Sequence, residues 1–152
     1  MQDLRSFFET VHFIESPDAG NYHPLQWGGN IVCATSKSFD WEEADIIIVG
    51  CGEWRGADPK AGYSNSPDQI RAELYKMYHW HTGIKIADAG NIRQGATLGD
   101  TRAALQEVLH EIHSAGKIAL VLGGSHDLTL QQYEVFKRAE EMAVASVADM
   151  LI

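Results

Sequence analysis

The sequence predicts an α/β protein built on a mainly parallel sheet. Apolar runs recur at residues 46–51, 84–87 and 118–122, each β-branched or Leu-rich and each closed by a glycine or a polar turn. Unbroken apolar runs of this length suit strands buried on both faces. Between them lie stretches with apolar residues at helical spacing, so strand and helix alternate. Right-handed crossovers then put helices on both faces of the sheet.

Residues 1–40 fall outside this rhythm. An amphipathic stretch over residues 4–13 leads into a segment rich in Gly, Asn, Pro and Ser. It is expected to be an N-terminal extension packed on the domain formed by residues 41–152. The first helix is predicted over residues 67–80, with Ser66 as N-cap, Pro67 at the first helical position and Ile70, Leu74, Met77 and Tyr78 on its apolar face. The second runs from Gly99 or Asp100 to Ala115, and Gly116 stops it. Its apolar face carries Ala104, Leu105, Val108, Leu109 and Ile112. A third is predicted over residues 128–142. A fourth apolar run, residues 143–148, precedes Asp149 and reads as a further strand. A sheet ending on a bare strand is unfinished, so the expectation is an α/β domain incomplete at the C-terminus.

Composition removes several function classes. The 152 residues are enough for one modest domain with a core that needs no staples. The net charge is -9, and no cluster of Lys or Arg offers a footprint for nucleic acid or an anionic membrane. No charged start followed by an apolar stretch suggests a signal peptide, and the apolar runs are too short to span a bilayer. A cytoplasmic protein is expected. Of its cysteines, Cys33 and Cys51, the second follows an apolar run and reads as a reduced, buried thiol.

In parallel α/β sheets ligands bind at the carboxyl ends of strands. The loops there cover residues 50–56, 88–91, 123–127 and 149–151. The turn Gly123-Gly124-Ser125-His126-Asp127 carries the most chemistry. Two glycines permit a tight turn, and imidazole with carboxylate suits a first-row metal ion. The alternative is that Ser125 or Asp127 caps the following helix. Arg55, in the first loop, is a candidate for meeting a substrate carboxylate with both arms of its guanidinium. Other candidates are weaker. His79 and His81 are two apart and would face different sides of a helix. His110 and His113, with Glu107 and Glu111, read as a solvated helix face. No G-x-G-x-x-G, Gly-Lys-Ser/Thr or G-x-S-x-G pattern occurs.

Residues 121–129, Val-Leu-Gly-Gly-Ser-His-Asp-Leu-Thr, resemble the first metal-binding motif of the ureohydrolases: arginase, agmatinase and formimidoylglutamase. Upstream, Val49-Gly50, Arg55-Gly56-Ala57 and Ser66-Pro67-Asp68-Gln69-Ile70-Arg71 resemble that family's opening strand, Gly/Arg loop and helix start, and Asp88-Ala89-Gly90-Asn91 its Asp-x-Gly-Asn turn. The Gly-Gly-Ser-His-Asp variant leans toward the formimidoylglutamase branch. The resemblance implies a three-layer α/β/α sandwich and two manganese ions whose bridging hydroxide hydrolyses a guanidino or formimidoyl C–N bond. It puts His126 and Asp149 on the metal, with Asp127 supporting His126 or lining the substrate site. The implied partners are a small amidine or guanidine substrate and further copies of the chain. One position departs from the pattern. The family's second motif is Asp-x-His-x-Asp, and here Leu151 stands where its His would be. The closing Asp of that motif and the family's third motif, Asp-x-Asp, fall beyond Ile152, so this chain by itself is expected to be inactive; Leu151 favours the alternative, a degenerate, non-catalytic family member acting as a binding or assembly module.

Overall fold

A computed structural model describes residues 4–9, 22–34 and 41–137. Its sheet has five strands: β1 (Phe8–Glu9), β2 (Val32–Cys33), β3 (Ile46–Gly50), β4 (Ile86–Ile92) and β5 (Ile118–Leu122). The order is β1-β4-β3-β5, with β2 also paired to β4. β3 runs parallel to both of its neighbours, Ile46 lying opposite Ile86 on one side and Ile118 on the other. β2 joins β4 in parallel and β1 antiparallel. The N-terminal segment thus contributes two strands to the sheet itself.

Among the described residues, three α-helices cover the sheet: α1 (Ser66–Leu74), α2 (Leu98–Ser114) and α3 (Leu128–Phe136). Because side chains alternate along a strand, the central strand β3 feeds two cores. Ile47, Val49 and Cys51 pack with Ala87 and Ala89 against Leu105, Val108, Leu109 and Ile112 of α2 and Leu128 of α3. Ile48 turns the other way, joining Ile86, Leu122, Tyr75 and Leu74 with Tyr22 and Trp27. The result is three layers, helices on each side of a mainly parallel sheet. Ile47, Ile48 and Val49 have no exposed surface, which is why the run of residues 46–51 shows no polar alternation.

Several boundaries differ from the sequence prediction: Asn65 and not Ser66 is the N-cap of α1, α3 ends at Phe136 and not at residue 142, and two larger shifts have a physical reason. The first helix stops at Leu74, not at residue 80. Residues 77–79 leave the helix to pair with residues 25–27: Trp27 N–H donates to Met77 O, His79 N–H to Leu25 O, and Gln26 bridges Tyr78. Met77, Tyr78 and Trp80 are consequently exposed. The second strand starts at Ile86 and runs through Asp88 and Asn91 to Ile92, so residues 88–91 lie in a strand and not in a post-strand loop. A buried partner for Asp88, described below, lets a carboxylate sit mid-strand. α2 begins as its capping box dictates: Thr97 Oγ1 accepts from Asp100 N–H, and Asp100 accepts from Thr97 N–H at 2.8 Å. The run of residues 143–148, Asp149 and Leu151 lie outside the described residues. None of the helices among the described residues is long and apolar enough to cross a membrane.

Candidate active-site edge

At the carboxyl end of β3 the chain enters residues 51–56, and at the same end of β5 it enters residues 123–127. These two loops are sewn together by backbone. Cys51 N–H donates to Leu122 O at 2.9 Å, and Ser125 N–H donates to Glu53 O at 2.9 Å. Gly123 and Gly124 have φ of 81° and 79°, a region open chiefly to glycine. A Cβ on Gly124 would also lie 2.6 Å from Cys51 O. The double glycine therefore does two things: it reverses the chain after β5 and lets it lie flat on the neighbouring loop.

This turn presents His126 with its residue exposed, between buried Ser125 and half-buried Asp127. Asp127 is held on both carboxylate oxygens. Arg102 of α2 donates from Nη2 to Oδ2 at 2.6 Å, and the Ser125 hydroxyl donates to Oδ1. The α3 N-terminus takes no side-chain cap from Asp127; Leu128 N–H instead donates to Ser125 O at 3.0 Å. The structure thus frees the Asp127 carboxylate from capping and gives it to Arg102.

Arg55 is engaged on all sides. Its Nε donates to Glu53 Oε1 at 2.9 Å and its Nη2 to Glu53 Oε2 at 2.6 Å. The same guanidinium reaches Gly95 O, Ala96 O, Thr97 O and Thr101 Oγ1. Its donors are committed inside the chain, where they clip the post-β3 loop to the segment before α2. Glu53 has no exposed surface. Burial alone would raise its carboxyl, but hydrogen bonds from the Arg55 side chain and backbone outweigh that and hold it below the ordinary glutamate value. Glu53 stays ionised as the anchor of the loop.

A second buried cluster lies beside this edge. Arg71 of α1 and Asp88 of β4 pair through Nε and Nη2 at 2.7 and 2.9 Å, with neither side chain exposed. Tyr75 donates to Asp88 Oδ2 at 2.7 Å, and Arg71 Nη1 also reaches Asp68 and Asn91. The sequence motifs contained every member of this cluster except Tyr75, but nothing in one-dimensional spacing showed that Arg71 and Asp88 are partners. Arg102 was likewise missed, being one charge among several on a helix.

The weaker candidates keep structural roles. Burial pushes the Cys51 thiol up to about 11, against a smaller lowering by the Glu53 backbone, so it is a core thiol and a poor nucleophile. His79 lies 3.2 Å from Ile84 O and edge-on to Trp27, while His81 lies against Trp80. Among the described residues no group of three or more His, Cys, Asp or Glu is arranged to hold a metal ion. His126 is a single donor there, so the described residues do not by themselves fit a binuclear manganese centre.

Comparison with known proteins adds a consistent set of matches. The model of the arginase family matches residues 44–147. Formimidoylglutamase of Hahella chejuensis is 31% identical over 84 residues, covering 55% of this chain and 26% of that protein. Formimidoylglutamase of Halobacterium salinarum is 25% identical over 138 residues, covering 88% and 45%. This chain therefore spans less than half the length of these two relatives. Among solved structures, Trypanosoma cruzi formiminoglutamase with two Mn2+ matches at a TM-score of 0.58 and 23% identity, over 68% of this chain and 38% of that one. At that identity the likeness speaks for the fold alone.

Proposed function

The chain belongs to the arginase family, and from that premise we propose that it serves a formimidoylglutamase-like ureohydrolase, hydrolysing the C–N bond of a small linear amidine or guanidine. The observation that carries the reading is the placement of His126. It stands on a double-glycine turn at the carboxyl end of β5, fastened by Ser125 N–H to the loop that follows β3. That is where parallel α/β sheets gather their ligands.

Manganese is the group this reading implies; His126 and Asp149 would be its ligands from this chain, and it would supply a bound water of lowered pKa. The chain's own residues hold the edge in place. Glu53 and Arg55 pin the post-β3 loop to the start of α2, and Asp127, next to His126 in the chain, is held by Arg102. Arg55 takes part through this clip, and a substrate carboxylate would have to compete with Glu53 for it. The same reading takes the protein as a cytoplasmic homo-oligomer with no nucleic-acid or membrane partner, and takes this chain alone as inactive.

The test is turnover of formimidoylglutamate, agmatine and arginine by the chain and by the full-length product of its gene, each against a His126→Ala control. The reading expects turnover by the full-length product, lost in the control, and none by the chain alone. Turnover unaffected by His126→Ala would refute the role of His126. Leu151, standing where the family's second motif has a ligand histidine, favours a second reading: a member with a degraded metal site, acting as a binding or assembly module. That reading expects no turnover and no bound manganese in either form.

A further inference from the structure

We propose that Arg102 is the positioning residue for His126, acting through Asp127. The inference deepens the reading of His126 as the metal-facing histidine and rests on it for its functional meaning. Arg102 sits near the start of α2, and Asp127 directly follows His126 in the chain. The ion pair between them measures 2.6 Å, with side chains 33% and 19% exposed. Ser125, which directly precedes His126, donates its hydroxyl to the other oxygen of the same carboxylate. Both residues flanking His126 therefore converge on one group, and Arg102 holds that group.

A second contact shows that this is a matter of register and not a chance surface pair. One turn further along α2, Gln106 Nε2 donates to Gln131 Oε1 at 2.8 Å. Arg102 and Gln106 are four apart on α2, and Asp127 and Gln131 are four apart at the start of α3. Residues four apart share a helix face, so the two contacts form successive rungs between the helices. The rungs fix how far α3 is advanced along α2, and that advance sets where the turn presents His126. Gly56 closes the arrangement from the other side: any Cβ there would overlap the Asp127 carboxylate. The carboxylate lies between the post-β3 loop and Arg102.

Arg102 also has a reason to stay. Its Nε is buried with no acceptor among the described residues, which leaves Asp127 as the acceptor that holds the guanidinium there. The pair is partly exposed to solvent, which screens it and limits what its loss costs in global stability. Its effect should appear in geometry, where groups that orient a metal ligand typically change metal affinity by about 10–100-fold.

The experiment reads the His126 ring directly. The chain is labelled at histidine with 15N and 13C, and the His126 ring signal is assigned by its disappearance in His126→Gln. In Arg102→Met the His126 signal should shift and broaden, while those of His79 and His81, beyond α1, stay in place. Arg102→Lys, which keeps the charge, should return the signal most of the way. An unmoved His126 signal in a folded Arg102→Met chain overturns the proposal. Should that variant lose its fold, Arg102→Gln is read by the same criterion. Mn2+ alone is then titrated into each form. The concentration that half-broadens the His126 signal should rise roughly tenfold or more in Arg102→Met. If Mn2+ reaches His126 in no form while Arg102→Met still moves the signal, positioning stands and the metal reading falls. If Mn2+ does reach His126, and does so at the same concentration in Arg102→Met as in the unaltered chain, the positioning role is refuted.

Discussion

Replacing Asp88 by alanine should be among the most damaging single changes available to the described part of this chain. Asp88 lies mid-strand in β4 with no exposed surface. It accepts two hydrogen bonds from Arg71, one from the Tyr75 hydroxyl and one from Gly90 N–H, at 2.7 to 2.9 Å. Removing the carboxylate leaves a fully buried guanidinium with Asp68 as its remaining charged partner, itself part-exposed. Breaking a buried pair from one side costs about 3–5 kcal/mol, a large share of the ~5–15 kcal/mol that holds a domain of this size together. At roughly 2–4 °C per kcal/mol, the melting temperature should fall by about 6–20 °C. Urea unfolding followed by circular dichroism measures this, with the slope unchanged if the effect is on stability alone. Tyr75→Phe removes one donor and leaves the pair intact, so it should cost about 1 kcal/mol. An Asp88→Ala loss below about 1 kcal/mol, or one no larger than that of Tyr75→Phe, would refute the reasoning.

Three further outcomes follow from the same geometry. Glu53 has a folded-state pKa lowered below its ordinary value, so its stabilising contribution is present above the usual glutamate range near ~4.3 and is lost as pH falls through the lower folded value. The stability gap between the unaltered chain and Glu53→Gln, measured by urea unfolding, should be full at neutral pH and shrink on acidification; a gap that widens contradicts it. Gly124→Ala forces an L side chain to a φ of 79° and sets a Cβ against the Cys51 carbonyl, so it should cost about 1–3 kcal/mol, whereas Gly83→Ala, where a Cβ meets open space, should change the midpoint little. Cys51, its thiol pushed up to about 11 by burial, should resist iodoacetamide at pH 8 until the chain is unfolded in urea; rapid labelling of the folded chain at Cys51, read by peptide mass, would contradict its burial.

The sequence was most legible where burial is complete. The run at residues 46–51 and the spacing of Leu105, Val108, Leu109 and Ile112 are written by the cores they fill, so strand and helix could be read from them; residues 118–122 form the expected strand too, although Ile118 is exposed and residues 119–121 are only partly buried. The turn bearing His126 was legible because two glycines in succession have few other uses after a buried strand. Legibility failed where a distant partner overrides a local pattern. Met77 and Tyr78 continue the helical period of α1, yet backbone pairing with residues 25–27 draws them out of it. Asp88 ends an apolar run and so looks like a loop residue, because Arg71, 17 positions earlier, neutralises it. Arg55 looks like a free cation because Glu53, Gly95 and Thr101 come to it only in the fold. A one-dimensional pattern records how much apolar surface a residue must hide; it does not record which charge will answer which.

The most direct test of the central claim is manganese content by elemental analysis, after loading and desalting, on the chain, on the full-length product of its gene and on the His126→Ala form of each. The account predicts about two Mn per full-length chain, as binuclear hydrolytic sites hold, with a clear loss on His126→Ala. No retained metal in any form would contradict it and would leave the arginase-family fold serving a role other than hydrolysis.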